Sequence, residues 1–364
     1  MQLKKISVIL LLFWQYILDS QAAEFCATNS TELTNALSSA ENNNQHDVIK
    51  IAVGNYEGGF TFTGGEGYDL SISGGWSDFF GNPCGQQINP PFDTILDGDN
   101  SQKVLDIIAH DDNDITISNL TLINGNALPG SAGGLELFGW TGYVGDVIIE
   151  KVAFINNKGN FHSALSVSRG RKITVRNSIF AINENTTGDG TVDLNNSELG
   201  IYFNNNTLVN NTSVATDSSV HSGLRANFHD GAGIFVANNL FWNNDGHDAY
   251  FGGVNMTTTE SYLYNNNINS YIGTIHNIEN NFTAEPIFEN GFLNYTPTIA
   301  SPEINQGRQS PFFVPVPPPF NMQWGVGITD FEGNTRVQDG RVDVGAIEAE
   351  PEEPIFKNGF EIIL

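Results

Sequence analysis

The sequence predicts an all-β protein built as a right-handed, single-stranded parallel β-helix, with a short N-terminal capping helix and a non-repetitive C-terminal segment. A strand-like unit that ends in asparagines returns at intervals of roughly 26 to 33 residues, which is the sign of a solenoid. Glycines separate short apolar runs, as they do at the corners of a β-helix. Copies of the unit begin at Ile117, Ile149, Val175, Phe203, Val236 and Leu263.

The asparagines of this unit are interpreted as structural residues. In parallel coils, each residue lies about 4.8 Å from its equivalent on the next coil, so side-chain amides can hydrogen-bond along the axis. Asparagine also tolerates the left-handed backbone conformation that corners require. The predicted ladder consists of Asn119, Asn177, Asn205 and Asn238.

The domain organisation follows from where the unit occurs. We assign residues 1–22 to a signal peptide, 23–47 to an N-terminal cap, 48–282 to the parallel β-helix, 283–348 to a closing segment packed on the helix, and 349–364 to a linker and short C-terminal tail. A cap is expected because an open terminal coil exposes apolar core and unpaired backbone.

The capping helix is predicted from a short amphipathic stretch. Ser30 or Thr31 can cap its N-terminus, and it runs to about Glu41. Its apolar residues would share one face. They are Leu33, Ala36, Leu37 and Ala40.

The first residues have the pattern of a secretory signal. Lys4 and Lys5 precede an apolar stretch, 6–18, which leads to small residues at 20–22. That stretch is shorter than the roughly 20 residues that a spanning helix needs. We therefore expect a protein that is exported through the secretory pathway, is secreted or associated with the cell surface, and has no transmembrane segment in its mature chain.

Charge and cysteine content restrict the possible partners. The formal net charge of −26 argues against nucleic acid, whose binding needs a basic surface. It also disfavours anionic membranes and unassisted binding of polyanionic sugars. Cys26 and Cys84 are expected to form a disulfide in an exported chain, and without a Cys-x-x-Cys motif we expect neither a redox function nor a metal site from them.

The two ends of the chain resemble a known family. Residues 285–288, 301–307, 330–336 and 342–348 occur in the order of the closing signature of secreted bacterial right-handed β-helix proteins of the choice-of-anchor Q type. The opening is similar as well. Its matching residues are Cys26, Thr31, Glu32, Leu33, Asp47, Val48, Ile49, Gly74, Gly75, Trp76, Thr94, Ile95, Leu96, Asp97 and Gly98. The resemblance implies the same fold and export.

The C-terminal tail is the variable part in that family. Residues 355–361 look like a short tail found on some exported proteobacterial proteins. Residues 285–292 and 353–360 differ at one position, Glu289 against Lys357. Because Asn-Gly between apolar residues favours a tight turn, the two copies are either two small hairpins or, for the second copy, a sorting or docking element.

A cluster of positive charges is the first candidate for chemistry. Arg169 and Arg171 lie close together in a chain with few cations, and Arg225 follows on a later coil. β-Helix polysaccharide lyases neutralise a uronate and remove a proton from its C5, using lysine or arginine and usually calcium. By that resemblance, Arg169 or Arg171 would be the base and Arg225 the neutralising group. The alternative is that these residues only balance charge.

Histidines and aspartates supply two weaker candidates. His162, His221 and His247 each precede a strand at an equivalent position of the repeat, and imidazoles on adjacent coils can bind a metal or a sugar acid. The alternative is an exposed turn that tolerates polar residues. Oxygen-rich loops can also hold calcium, although ordinary turns explain them equally. The aspartates concerned are Asp97, Asp99, Asp111 and Asp112.

The sequence as a whole favours a non-catalytic, adhesin-like binding scaffold that contacts glycans or other cell-surface partners as a monomer, with no cofactor beyond the calcium considered above. Long solenoid faces suit extended partners. The alternative is a β-helix polysaccharide lyase or hydrolase that acts on uronate-containing glycans. That alternative requires Arg169, Arg171, Arg225 and His221 to share one face.

Overall fold

A computed structural model describes residues 22–65, 67–228, 232–253, 261–289, 294–308, 326–338 and 340–349. The signal peptide and the C-terminal tail lie almost wholly outside these residues, so both stay predictions. No helix within the described ranges is long and apolar enough to cross a membrane.

The described chain consists of strands, one α-helix, α1 (Ser30–Ala40), and one 3₁₀ helix (Pro91–Asp93). In chain order, the strands are β1 (Ala23–Ala27), β2 (Asp47–Ala52), β3 (Gly54–Glu57), β4 (Phe60–Thr63), β5 (Leu70–Phe79), β6 (Asn82–Gln87), β7 (Thr94–Asp97), β8 (Leu105–Ala109), β9 (Ile115–Ile123), β10 (Leu135–Gly139), β11 (Val147–Ile155), β12 (Lys158–Gly159), β13 (Leu165–Arg176), β14 (Ile179–Ala181), β15 (Glu184–Asn185), β16 (Val192–Asn204), β17 (Thr207–Val209), β18 (Thr212–Ser213), β19 (His221–Phe228), β20 (Gly233–Ala237), β21 (Leu240–Trp242), β22 (His247–Gly253), β23 (Ser261–Tyr264), β24 (Tyr271–Gly273) and β25 (Asn277–Glu279).

Most of these strands stack into three faces that confirm the predicted parallel β-helix, while β12, β15 and β18 form a separate small sheet. The first face contains β4, β8, β10, the starts of β13 and β16, β19, β22 and β24. The second contains β1, β2, the starts of β5, β9 and β11, the ends of β13 and β16, β20, β23 and β25. The third contains β3, β7, the ends of β9 and β11, β14, β17 and β21.

The core is built from residues that repeat at the same position of successive coils. Ile149 pairs with Val175, Val175 with Phe203, and Phe203 with Val236, and all four are fully buried. Alternation along each strand turns every second side chain inwards. The solenoid therefore has one continuous apolar interior, which no single coil could form alone.

The N-terminal cap contains a strand as well as the predicted helix. Asn29, rather than Ser30 or Thr31, caps α1, and its side chain accepts a hydrogen bond from the backbone N–H of Glu32 at 3.0 Å. The predicted apolar face of α1 is buried. Before the helix, β1 already pairs with β2 of the first coil, and the disulfide between Cys26 and Cys84 joins β1 to β6.

Two columns of left-handed residues form the corners on either side of the third face. The first column contains Asn119, Lys151, Asn177, Asn205, Asn238 and Asn265. The second contains Asn124, Asn156, Ile182, Asn210 and Asn243. Because asparagine adopts this conformation more readily than most residues, it fills most positions of both columns.

The asparagine ladder lies one residue later than predicted. Asn119, Asn177, Asn205 and Asn238 occupy the first corner column, where their amides bind mainly backbone carbonyls; Nδ2 of Asn177, for example, donates to the Val326 carbonyl at 2.8 Å. A single side-chain pair, Asn238 to Asn205 at 3.3 Å, joins two of the four. The correction follows from position, because the residue after each left-handed corner is the one whose amide reaches its counterpart on the next coil, as Asn206 reaches Asn239.

Continuous ladders form from these following residues on both corners. One contains Asn157, Asn183, Asn211 and Asn244, and the other contains Asn206, Asn239, Asn266 and Asn281. In each, Nδ2 donates to Oδ1 of the next coil at 2.9 to 3.1 Å. The same Oδ1 accepts a backbone N–H of the preceding coil, as Asn183 does from Asn157.

The described part of the closing segment packs on the third face. Its Tyr295, Phe331 and Val344 form one apolar cluster with Ile179 and Val209 of the solenoid. This packing covers a sheet face that would otherwise expose apolar residues to water.

A buried arginine connects this segment to the corner of a coil. Arg336 is fully buried, and its Nη1 lies 2.5 Å from Glu348 Oε1. Its Nη2 donates to Asn177 Oδ1 at 2.7 Å and to the Ala346 carbonyl at 2.6 Å. One guanidinium group therefore binds a carboxylate, a solenoid corner and the segment's own backbone.

Candidate functional site

An exposed group of aromatic rings lies at the end of the first face. We call His110, Phe138 and Trp140 the aromatic patch; 54% of Trp140 and 37% of Phe138 are exposed. The rings of His110 and Trp140 stack with centroids 5.4 Å apart at 21°. Phe138 meets Trp140 edge-on at 6.2 Å. The patch thus leaves more than half of an immobilised indole accessible to a ligand.

The repeat itself creates the patch. Phe138 occupies an outward-facing position of β10, where alternation places it towards solvent. Gly139 pairs with Ala109 of the preceding coil, so the residues that follow, Trp140 and His110, hold equivalent positions on consecutive coils. Stacked rings at equivalent positions are a direct result of parallel register.

A groove of about 300 Å³ lies beside the patch. We call it the Arg169 groove. The Cζ atom of Arg169 lies 5.7 Å from the centre of the Phe138 ring, so this residue borders both the groove and the aromatic patch. The groove is lined by Gly142, Tyr143, Arg169, Asn196 and Glu198. It combines a cation, a carboxylate and an amide with one aromatic wall.

Close packing around Gly139 fixes Arg169. The Arg169 backbone is left-handed, with φ of 77°, and its Nη1 donates to the Gly139 carbonyl at 3.0 Å. A Cβ atom at position 139 would lie 2.5 Å from the Tyr143 ring and 2.9 Å from Arg169 Cβ. Only glycine permits this approach.

Arg169 keeps hydrogen-bond donors for a ligand. It forms no ion pair with a carboxylate in the described ranges, whereas five other arginines do: Arg171, Arg176, Arg225, Arg308 and Arg336. A guanidinium has five N–H donors, and the bond to Gly139 uses one. Together with Glu198 as acceptor, Arg169 can bind hydroxyl or carboxylate oxygens of a ligand that stacks on Trp140.

The four residues predicted for catalysis do not share one face. Arg169 and Arg171 lie where β13 turns from the first face to the second. His221 and Arg225 lie in β19 on the first face, two coils later. The condition set for the lyase alternative is therefore not met, and the catalytic roles stay untested predictions.

Arg171 is poorly suited to act as a base. Its Nε lies 2.7 Å from Asp146 Oδ1, and this hydrogen-bonded carboxylate raises the pKa of Arg171 above its already high value. A raised pKa makes the guanidinium hold its proton more firmly.

Arg225 and His162 surround a buried carboxylate that the sequence did not single out. The Asp193 side chain is 5% exposed; its Oδ1 lies 3.3 Å from Arg225 Nη1, and its Oδ2 lies 3.4 Å from His162 Nε2. Nδ1 of His162 faces the Asp189 carbonyl at 3.1 Å, so that nitrogen carries a proton. Burial raises the pKa of Asp193, while His162 and Arg225 lower it. Burial is the larger effect, so the pKa of the Asp193 carboxyl group lies above its ordinary value.

His221 is a buried histidine. It pairs in register with His247 as predicted, but its ring stacks on Tyr250 at 5.1 Å and 19°. Its Nδ1 donates to the Ser219 carbonyl at 3.0 Å, and its buried Nε2 has no partner in the described part of the chain. Burial lowers the pKa of His221. His162 and His221 thus make separate contacts within the protein, and a ligand shared by the imidazoles stays an untested prediction.

We expect His221 to make the protein less stable in acid. Unfolded histidine titrates near 6.5, and the folded pKa is lower, so the unfolded state takes up the proton first. The free energy of unfolding should therefore fall as pH drops below about 6.5, by at most about 1.4 kcal/mol per unit. Urea unfolding at pH 7 and pH 5 measures this. His221→Phe keeps the stacking on Tyr250 and should show a smaller fall; an equal fall would contradict the assignment.

The aspartates proposed for calcium have other contacts. Asp97 Oδ1 accepts from the Asp99 backbone N–H at 2.9 Å and from Asn124 Nδ2 at 3.0 Å, while Asp99 and Asp111 occupy left-handed turns. No group of three or more histidine, cysteine, aspartate or glutamate side chains that could hold a metal occurs among the described residues. Calcium binding, which also uses backbone oxygens, stays an untested prediction for Asp97, Asp99, Asp111 and Asp112.

Sequence reasoning missed the aromatic patch, although a signal was present. The run 134–138, Gly-Leu-Glu-Leu-Phe, alternates so that its glutamate and Phe138 must face outwards once both leucines face the core. A phenylalanine at an outward position, followed two residues later by Trp140, indicates an aromatic surface.

Comparison with known proteins identifies no family. No protein-family model and no curated protein matches the sequence. Among solved structures, the chain is similar to an alginate lyase from Paenibacillus sp. str. FPU-7, with 14% identity, coverage of 72% of this chain and 99% of that chain, and a TM-score of 0.29. A likeness at this level carries no argument about activity.

Proposed function

We propose that this protein is an exported binding scaffold of the choice-of-anchor Q type, whose aromatic patch and Arg169 groove bind a glycan without cleaving it. The observation that carries the proposal is the exposed, immobilised Trp140 beside the groove. Aromatic residues with one apolar face and polar neighbours are typical anchors of binding sites.

The chemistry of the patch and groove suits a sugar. A pyranose ring has an apolar C–H face, which can stack on Trp140, and hydroxyl groups around its edge. Arg169 supplies donors, and Glu198 supplies acceptors for those hydroxyls. The Trp140 ring can thus contact the C–H face of one sugar unit while Arg169 and Glu198 bind its hydroxyl groups. The long first face can accommodate further sugar units.

The net charge selects among glycans. A chain of net charge −26 repels a densely charged polyanion at long range, and the groove holds a carboxylate beside its cation. We therefore propose a neutral or sparsely charged glycan as the ligand. Export is supported by the basic and apolar pattern of the first residues and by the disulfide between Cys26 and Cys84.

Replacing Trp140 should remove most of the binding. We expect Trp140→Ala to weaken binding to a retained neutral polysaccharide roughly 30-fold, which is ~2 kcal/mol, because the central aromatic anchor of an interface carries a large share of its energy. Affinity electrophoresis against a panel of neutral and uronate-containing polysaccharides, followed by titration calorimetry with the retained glycan, measures this.

Phe80→Ala is the matched control, since Phe80 is an exposed aromatic residue, 93% accessible, on the hairpin between β5 and β6. It should leave binding unchanged. No retention of any glycan, or equal losses in both variants, would overturn the proposal. Unsaturated product absorbance in incubations with uronate polysaccharides would favour the lyase alternative instead.

A further inference from the structure

The repeated octapeptide of the C-terminal region points to a docking site that is separate from the glycan site. Residues 285–292 and 353–360 are identical except for Glu289 and Lys357. The structure describes how the first part of the earlier copy is bound, and the later copy has the same residues to offer.

The backbone of the first copy pairs with the segment 295–298, which we call the docking segment. Phe288 and Pro297 form an antiparallel bridge. The Thr298 N–H donates to the Ile287 carbonyl at 2.8 Å, and the Glu289 N–H donates to the Thr296 carbonyl at 2.9 Å. These bonds depend on backbone groups that any extended peptide supplies.

The side chains of the first copy explain which of its positions matter. Pro286 is buried. The ring of Phe288 lies 5.6 Å from that of Tyr295, edge to face, and packs against the apolar cluster of the closing segment. Both residues have identical counterparts in the second copy, Pro354 and Phe356. The differing position, Glu289, has an exposed side chain, so the substitution removes no buried contact.

Charge favours the second copy at this differing position. Glu289 lies opposite Thr296, whose hydroxyl is 3.3 Å from the Glu332 carboxylate. A glutamate here therefore adds a like charge near Glu332. Lys357 would place a cation at the same point, and opposite charges at this separation attract.

Ala349, the last described residue before the second copy, lies near the docking segment. Ile299, which follows that segment, and Ala349 line the same cavity of about 370 Å³. Only residues 350–352 separate Ala349 from the second copy, and three extended residues span about 10 Å. A tether this short gives an effective concentration of about millimolar or more.

We propose that residues 353–360 bind to the docking segment of the same molecule, in exchange with residues 285–289. The two copies supply the same backbone bonds and the same proline and phenylalanine, so the exchange loses no contact of the described pairing. Lys357 makes binding of the tail more favourable than binding of the first copy. The first copy can then dissociate from the docking segment.

Engineered disulfides test the exchange in the full chain. Ile287 lies opposite Thr298 in the pairing, and Ile355 is the counterpart of Ile287. Thr298→Cys combined with Ile355→Cys should therefore form a cross-link within the monomer on mild oxidation, because directly opposed residues are close enough for a disulfide. Thr298→Cys with Ile287→Cys calibrates the full yield, and Thr298→Cys with Asn358→Cys is the out-of-register control.

We expect at least fivefold more monomeric cross-link with Ile355→Cys than with Asn358→Cys. Adding Phe288→Ala, which weakens the first copy, should raise the yield further, and adding Phe356→Ala should lower it. A yield equal to that of the Asn358→Cys control overturns the proposal. Cross-linked dimers without cross-linked monomer also overturn it, because the tail of a second copy would then be the occupant. Neither result tests the proposed glycan binding, which depends on other residues.

Discussion

Replacing Arg336 by methionine is expected to lower the free energy of unfolding by about 3 to 5 kcal/mol, because it leaves a buried carboxylate without its partner. The guanidinium is fully buried and binds Glu348 at 2.5 Å, with further bonds to Asn177 and Ala346. Methionine keeps much of the volume and removes every donor. Urea denaturation followed by far-ultraviolet circular dichroism measures the loss.

The pH dependence of this loss gives a second test. Burial raises the pKa of Glu348 to about 7 even with Arg336 lowering it, so without Arg336 the carboxyl group should be protonated more readily. A group whose folded pKa is raised destabilises the fold as pH rises through that value. The deficit of Arg336→Met should therefore be larger at pH 8 than at pH 5.

Two further variants separate charge from packing. Glu348→Gln, added to Arg336→Met, removes the unpaired charge and should recover part of the loss. Arg341→Met, an exposed arginine in the same segment, should change stability by less than about 0.5 kcal/mol. If Arg336→Met is no worse than Arg341→Met, the arginine does not hold the closing segment on the solenoid.

Asn183→Ala is expected to cost about 3 to 6 kcal/mol, because one amide satisfies several buried groups at once. Asn183 Oδ1 accepts the backbone N–H of Asn157 at 2.9 Å and its Nδ2 at 3.1 Å. Its own Nδ2 donates to the Phe154 carbonyl and to Asn211 Oδ1, both at 3.0 Å. Each buried group left unsatisfied costs about 1 to 3 kcal/mol.

The matched control for this variant is Asn55→Ala. Asn55 is an exposed residue in strand β3, outside both ladders, and we expect a change below about 0.5 kcal/mol. Thermal and urea unfolding of both variants measure the difference. Similar, small losses in the two would show that buried water replaces the missing amide and that the ladder adds little to stability.

The repeat predicted the fold because its period and its alternation restrict a chain to few architectures. It did not identify which asparagine of each pair forms the ladder. Both residues of an Asn-Asn pair tolerate a left-handed corner, so the pair alone is ambiguous. Lys151, which aligns with the predicted ladder position, was the available clue: lysine cannot extend an amide ladder, and the structure places it at a corner.

The candidate site was harder to predict, since its residues meet only through the register of separate coils. Trp140 and His110 stack because they lie thirty residues apart, at equivalent positions of consecutive coils. Arg169 lies beside them on the following coil. The same holds for Asp193, which meets His162 and Arg225 from neighbouring coils. Local patterns reveal which side chains face outwards, but small differences in coil length decide which ones come together.

The two asparagine ladders bear on how proteins of this kind change length. At every step of a ladder the amide accepts from the coil before and donates to the coil after, so the junctions that the ladders span have the same chemistry. A duplicated or deleted coil would join its new neighbours through the bonds that the old ones made, and each coil contacts only its neighbours. The architecture thus permits evolution by whole coils, which would lengthen or shorten the first face while the N-terminal cap stays unchanged.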